Sequence, residues 1–420
     1  MSPEKERREP ATGKLFYGWV IALCCTLVTI INGGIFFTFG IFFKPVAFDF
    51  GWSRGEFGGN YTAMLVAYAP GAFFAGRLAD RYGPRVILLL AALLIVLGYF
   101  GCSQTPNLVI MILSYSSIGL GLGATLALPT ATIQRWFLKW RGLMVGIVVA
   151  GCCAGGLVFT MLANHLITSY DWRTAYLILG IIDGSVIAIA ALFLVAEPKM
   201  KNLSPFGYSK QYANNESRAY DGGFTSLTLP QAFKTGVFWV ITALYILTFM
   251  PDFFIKSHVV AHVTDQGITA ALGAQGLGLI AAVSVVGRVS MNWVAERIGW
   301  IRSLAISNFV ASASVIWLVF VTVPWEFYLF VVLYGFFWGS TLALLSGATG
   351  AFLGLASLGG LLGFMLGLGV LVGAITPWLG GLSFDLTGNY FIAIAGSASL
   401  FGMAGLISLL LKAPPRSQKL

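Results

Sequence analysis

Long apolar runs separated by short polar joints set the pattern of this chain. A helix that crosses a bilayer needs about 20 predominantly apolar residues. Runs of that kind lie at 16–43, 58–80, 85–103, 107–131, 141–168, 173–195, 236–263, 271–295, 302–322, 325–348, 355–382 and 389–411. The pattern therefore predicts an all-α polytopic membrane protein with twelve transmembrane helices. A polar arm, MSPEKERREPATGK, precedes the first run. That run is much too long for the apolar core of a cleavable signal, so the first helix is expected to act as its own insertion signal.

Composition agrees: the 420 residues are 58% hydrophobic and 10% charged, with mean hydropathy +0.85. Fifty-one glycines suit helices that approach closely inside a membrane. The net charge of +9 could suggest nucleic acid, but the placement of the charges argues otherwise. On this layout one face collects Lys5, Arg7, Arg8, Lys14, Arg77, Arg81, Arg85, Arg135, Lys139 and Arg141. It also collects the five cations of the central linker, then Arg297, Arg302, Lys412, Arg416 and Lys419. The other face holds Lys44, Arg54 and Arg173. Cytoplasmic loops carry the excess of Lys and Arg, so both termini are expected in the cytoplasm of a protein of the cell membrane. The five cysteines, Cys24, Cys25, Cys102, Cys152 and Cys153, all fall in predicted spans without metal-ligand spacing, and read as small core hydrophobes.

A shift of 216 positions superposes the two halves. Asp49-Phe-Gly-Trp-Ser53 falls on Asp265-Gln-Gly-Ile-Thr269, GRLADRYG (76–83) on NWVAERIG (292–299), and GLGLGATLAL (119–128) on GFFWGSTLAL (335–344). This is a duplicated six-helix bundle. The predicted organisation is a cytoplasmic arm at 1–15, a bundle at 16–196, a linker at 197–235, a second bundle at 236–411 and a tail at 412–420. The linker is polar and broken by Pro198, Pro205, Gly207, Gly222 and Gly223, with a short surface helix predicted near Leu229–Lys234. Duplicated halves with a site between them near mid-membrane suit alternating access.

Within the spans, Arg288 is the costly residue. An arginine at bilayer depth costs roughly 2.5–3.5 kcal/mol on insertion scales, and it cannot shed its proton as a lysine could. It lies about two turns before Glu296 and Arg297, deep for a snorkelling side chain, so it reads as an anion hook, set against a snorkelling arginine or a structural ion pair. Asp252 and Lys256 are spaced to share a helix face. Either they neutralise one another, leaving Arg288 as the unpaired cation, or Asp252 reaches Arg288 and takes a proton when substrate arrives. A purely structural pair is the third reading. His258 reads as a proton carrier or as a hydrogen-bonded residue of the pore wall. Ser284, Asn32, Tyr115 and Tyr334 are candidate neutral ligands, each set against a role as helix–helix glue. Asp183 has no cation within a turn and no account from the sequence. No phosphate loop, metal spacing or nucleophile–base arrangement appears, so neither an enzyme nor a cofactor is expected.

Gly76–Arg85, GRLADRYGPR, resembles the cytoplasmic loop motif of the major facilitator superfamily, and Asn292–Arg302 resembles its weaker second copy. The resemblance narrows to the monocarboxylate-transporter-like branch, which includes oxalate/formate exchangers. It does so on FYGW (16–19), GIFFKP (40–45), FGWSR (50–54), RWFLKWRG (135–142), DWRTAY (171–176) and HVVAHVTDQGI (258–268). The resemblance implies that Arg288, in VVGRVSMN, binds a substrate carboxylate, and that Asp80, Arg81, Arg85, Glu296 and Arg297 form conformational latches. Three departures matter: Ser284 stands where animal-type relatives carry an aspartate, Phe37 where they carry a lysine, and an uncharged stretch near Gly369 where oxalate exchangers carry a lysine. A second fixed cation is thus missing from both expected places.

The expected function is symport of a small monocarboxylate, such as lactate or pyruvate, with a proton, by a carrier acting as a monomer with Asp252, His258 or Lys256 in proton coupling. The alternatives are organic-anion exchange of the oxalate/formate type and a non-transporting membrane receptor.

Overall fold

The computed structural model describes residues 16–138, 140–207, 229–353 and 358–411. The arm at 1–15, most of the linker and the tail at 412–420 therefore lie outside the described residues, as do the side chains of Asp80 and Glu296. The first half runs through α1 (Gly18–Phe50), α2 (Arg54–Tyr82), α3 (Pro84–Ser103), α4 (Leu108–Leu122), α5 (Ala124–Trp136), α6 (Arg141–Ser169) and α7 (Trp172–Phe193). The second runs through α8 (Gly236–Asp265), α9 (Ala270–Ile298), α10 (Trp300–Trp317), α11 (Pro324–Leu353), α12 (Leu358–Gly373), α13 (Thr376–Thr387) and α14 (Phe391–Leu410). Short helices at Pro198–Lys201 and Leu229–Ala232 stand between the halves in sequence.

Among the described residues, eleven stretches are long and apolar enough to cross a membrane. Two of them contain breaks. Leu108–Trp136 is interrupted at Gly123, and Leu361–Thr387 between Gly373 and Thr376. In each, a proline follows within the next helix, Pro129 and Pro377, where its ring removes a backbone donor. The twelfth helix of membrane length is α2, which Arg54, Glu56, Asn60, Arg77 and Arg81 make less apolar than the rest.

The repeat read from the sequence reappears in the backbone. Gly51 and Gly267 have φ of 65° and 89°, and Gly83 and Gly299 have φ of 83° and 92°. A residue with a Cβ rarely adopts that region, so each pair fixes one corner in both copies. The capping residues repeat as well. The Ser53 hydroxyl accepts from Glu56 N at 3.2 Å, and that of Thr269 accepts from Leu272 N at 3.3 Å, holding the first turns of α2 and α9.

The chain forms two compact units. The first is Met1–Ile35, Ala67–Gly155 and Arg173–Ala219; the second is Phe36–Val66, Gly156–Trp172 and Tyr220–Leu420. In the first, α3 and α4 meet at Gly98 and Gly121, whose missing side chains leave room for the Ser114 and Ala91 carbonyls. Asp183 on α7 is fully buried there, and the neighbouring Gly180 and Gly184 lie against Tyr99 and Val96 of α3. In the second unit, α9 crosses α11 with backbone against backbone. A Cβ on Gly287 would fall on the Phe336 carbonyl, and one on Gly339 would fall on Ser284. This crossing sets the position of Arg288.

Candidate functional site

Arg288, on α9 in the second unit, is half-buried. Its Nε donates to the Gly339 carbonyl at 3.3 Å, and among the described residues no carboxylate lies within ion-pair distance of its guanidinium. On α8, Lys256 Nζ meets Asp252 Oδ2 at 2.8 Å, as their spacing of one helical turn permits. Asp252 is 1% exposed, and its Oδ1 has no hydrogen-bond partner among the described residues. The ammonium lies 4.7 Å from the centroid of the Trp338 ring and 4.8 Å from that of Phe37, a cation–π arrangement that replaces part of its lost hydration. Trp338 and Gly339 are neighbours on α11, so both cations rest against the same turn of one helix.

Tyr334, one turn earlier on α11, is buried with its hydroxyl unpartnered among the described residues, and its ring stacks on Trp338 at 5.8 Å and on Phe330 at 5.2 Å. Ser284 donates to the Ala281 carbonyl at 2.7 Å and lies against Gly339. The structure thus gathers Asp252, Lys256, Ser284, Arg288 and Tyr334. Two formal positive charges and one negative make the group a net monocation. Phe37, Phe253 and Trp338 complete it; the sequence marks Phe37 only as the place of a missing lysine, and aromatic residues are too common here to single out the others.

Other candidates are engaged elsewhere. Asn32 and Tyr115 belong to the first unit. Asn32 Nδ2 donates to Thr125 Oγ1 at 2.9 Å, and the Tyr115 and Tyr176 hydroxyls meet at 2.6 Å. His258 Nε2 lies 2.7 Å from the Pro377 carbonyl, an acceptor only, so Nε2 carries the hydrogen. Its Nδ1 then accepts from the Tyr390 hydroxyl at 3.1 Å, whose oxygen accepts from Arg54 Nη1 at 2.8 Å. Both imidazole nitrogens are occupied in this state. Arg81, Arg85 and Arg297 are exposed, with Arg297 lying 3.7 Å from the centroid of the Trp293 ring.

A second cluster lies at the α8–α9 corner. Asp265 holds Arg54 through a fork of 2.6 and 2.9 Å and Lys44 at 2.6 Å. Asp385 accepts from the backbone N–H groups of Arg54 and Gly55 at 2.9 and 2.7 Å, closing the N-terminus of α2. Lys44, Arg54 and Asp265 line a cavity of about 860 Å³ whose wall is otherwise mainly apolar, Phe43 and Trp52 included. Asp265→Asn is expected to destabilise the protein by about 1–3 kcal/mol, discounted for the half-open Lys44. A thermal melt in detergent at low and at high salt reads it, with the smaller loss at high salt.

The profile of the Major Facilitator Superfamily matches residues 25–377. The chain belongs to that superfamily. Among its relatives is "Monocarboxylate transporter 13" of Rattus norvegicus, 26% identical over 96% of this chain and 91% of the relative. The "Oxalate:formate antiporter" of Oxalobacter formigenes is 21% identical over 70% of this chain and 68% of its own. The crystal structure of a D-xylose-proton symporter superposes with a TM-score of 0.75 at 14% identity, covering 94% of this chain and 97% of that one. The superfamily member described here thus shares its fold with transporters, and its sequence resemblance is to the monocarboxylate branch.

Proposed function

We propose that this protein is a secondary active transporter of small monocarboxylates of the lactate and pyruvate kind, coupled to protons and working by alternating access in the cell membrane with both termini cytoplasmic. The observation that carries the reading is Arg288: a permanent cation within a membrane-length helix, without a carboxylate partner among the described residues. An unpaired charge at that depth is retained for a function. One carboxylate on the guanidinium neutralises the net monocation of the group. The free oxygen of Asp252 then takes a proton, so that the loaded carrier returns to the charge of the empty one. The names of the monocarboxylate-transporter relatives favour the same substrate class.

Exchange of organic anions is the second reading, favoured by the similarity to an oxalate:formate antiporter. Proteoliposomes holding the purified protein separate the two. Symport predicts that initial uptake of labelled lactate or pyruvate rises several-fold when the outside is made acid relative to the lumen, and that a protonophore abolishes the rise. Uptake that ignores the gradient and needs an anion inside the vesicle would reject symport in favour of exchange.

A further inference from the structure

We propose that Lys256 is a second anion ligand, released when Asp252 is protonated, and that it lets the same site take a small dicarboxylate. The inference rests on the reading of Arg288 as the first carboxylate ligand.

Its basis is the arrangement on α11. Consecutive residues carry the two cations: Trp338 lies beneath the Lys256 ammonium, and the Gly339 carbonyl receives Arg288. A ligand bridging them needs a carboxylate at each end. Lys256 is occupied by Asp252 Oδ2, while Oδ1, buried and without a hydrogen-bond partner among the described residues, is an open position for a proton. A proton from water on Oδ1 turns the carboxylate into a neutral acid and removes the attraction that holds the ammonium. The faces of Phe37 and Trp338 keep the freed ammonium in place, because their attraction does not depend on Asp252.

Charge counting then selects the ligand. With Asp252 ionised, the group carries one net positive charge, and a dianion would leave a buried excess negative charge. With Asp252 protonated, Arg288 and Lys256 present two positive charges, and a dicarboxylate neutralises both. A buried charge is tolerated when it is matched. Among the described residues, the charged or titratable groups acting on Asp252 are Lys256 from α8, Arg288 from α9 and Tyr334 from α11. Helix α12 has no ionisable residue, Asp385 on α13 is bound to the start of α2, and Lys44 on α1 is bound to Asp265. The unpartnered Tyr334 hydroxyl is a neutral group at the same place.

Proton and dianion therefore promote one another's binding by the same factor. The test is equilibrium binding of labelled oxalate, a dianion throughout the range used, and of labelled lactate to the reconstituted protein between pH 6 and pH 8. In the wild type the affinity for oxalate itself is expected to fall by up to about tenfold per pH unit, the limit for one linked proton. Asp252→Asn, a neutral isostere of the protonated acid, is expected to hold the high oxalate affinity at every pH. Lys256→Gln is expected to lower the affinity for oxalate relative to lactate at least tenfold at pH 6. An oxalate affinity that ignores pH in the wild type, or a ratio that Lys256→Gln leaves unaltered, overturns the proposal while lactate binding sensitive to Arg288 keeps the underlying reading. Lactate binding insensitive to Arg288→Ala overturns both. The double variant Asp252→Asn/Lys256→Gln, which removes the pair without leaving a lone charge, is the control for folding and is expected to bind oxalate as weakly as Lys256→Gln.

Discussion

Replacing Arg288 by alanine is expected to abolish carboxylate uptake while leaving the carrier folded. The guanidinium makes one hydrogen bond to the Gly339 carbonyl and no ion pair among the described residues, so its removal strands no buried carboxylate. What is lost is the partner of the incoming anion. Truncating one member of a desolvated charge pair costs about 2–5 kcal/mol, which corresponds to a fall in kcat/KM of roughly 30-fold to a few thousand-fold. Arg288→Lys keeps the charge and loses the planar fork that grips both carboxylate oxygens, so it is expected to recover only part of the rate. Initial rates in proteoliposomes, beside melting curves of the same preparations, separate a binding loss from a folding loss. Full uptake by a well-folded Arg288→Ala carrier would remove the anion hook from the mechanism.

The second large effect is expected at Gly287, and it is structural. A Cβ there meets the Phe336 carbonyl, which belongs to rigid helix backbone and cannot rotate away. Gly287→Val must push α9 off α11. Overpacking a close contact costs typically about 1–3 kcal/mol, and a clash between two backbones falls at or beyond the upper end. The expected result is little monodisperse protein on size-exclusion chromatography and a melting temperature well below the wild type. Gly287→Ala should show the same loss in milder form. A valine variant as stable as the wild type would show that the helices do not meet as described. The two outcomes differ in kind: Arg288→Ala removes a ligand from an intact frame, whereas Gly287→Val removes the frame.

Much of the frame was legible in the sequence, because apolar run length and a shared offset are local signals. The offset that aligns Asp49–Ser53 with Asp265–Thr269 is matched in the structure by paired left-handed glycines and paired hydroxyl caps, which the alignment alone did not specify. Helix length was read less well: α1 continues to Phe50, past the apolar run ending at 43, because helix geometry persists through Lys44 and Pro45 once neighbours bury that face. Arg288 was legible because an intramembrane guanidinium is rare. The choice between partners for Asp252 was not, since spacing on one helix permits the contact with Lys256 without excluding a reach to Arg288. Nor was the fork between Arg54 and Asp265, which joins residues 211 positions apart. Sequence periodicity holds no information about such a pair.

The corner built around Gly51 is built again around Gly267, yet the two versions have not kept the same cargo of charge. At the repeat offset, Arg54 answers to Ala270 and Lys44 to Val260, while Asp49 answers to Asp265. One version retained both cations, and the other's aspartate binds them. The twin corners keep one backbone geometry, and one of them bears the positive charge that the aspartate of the other receives.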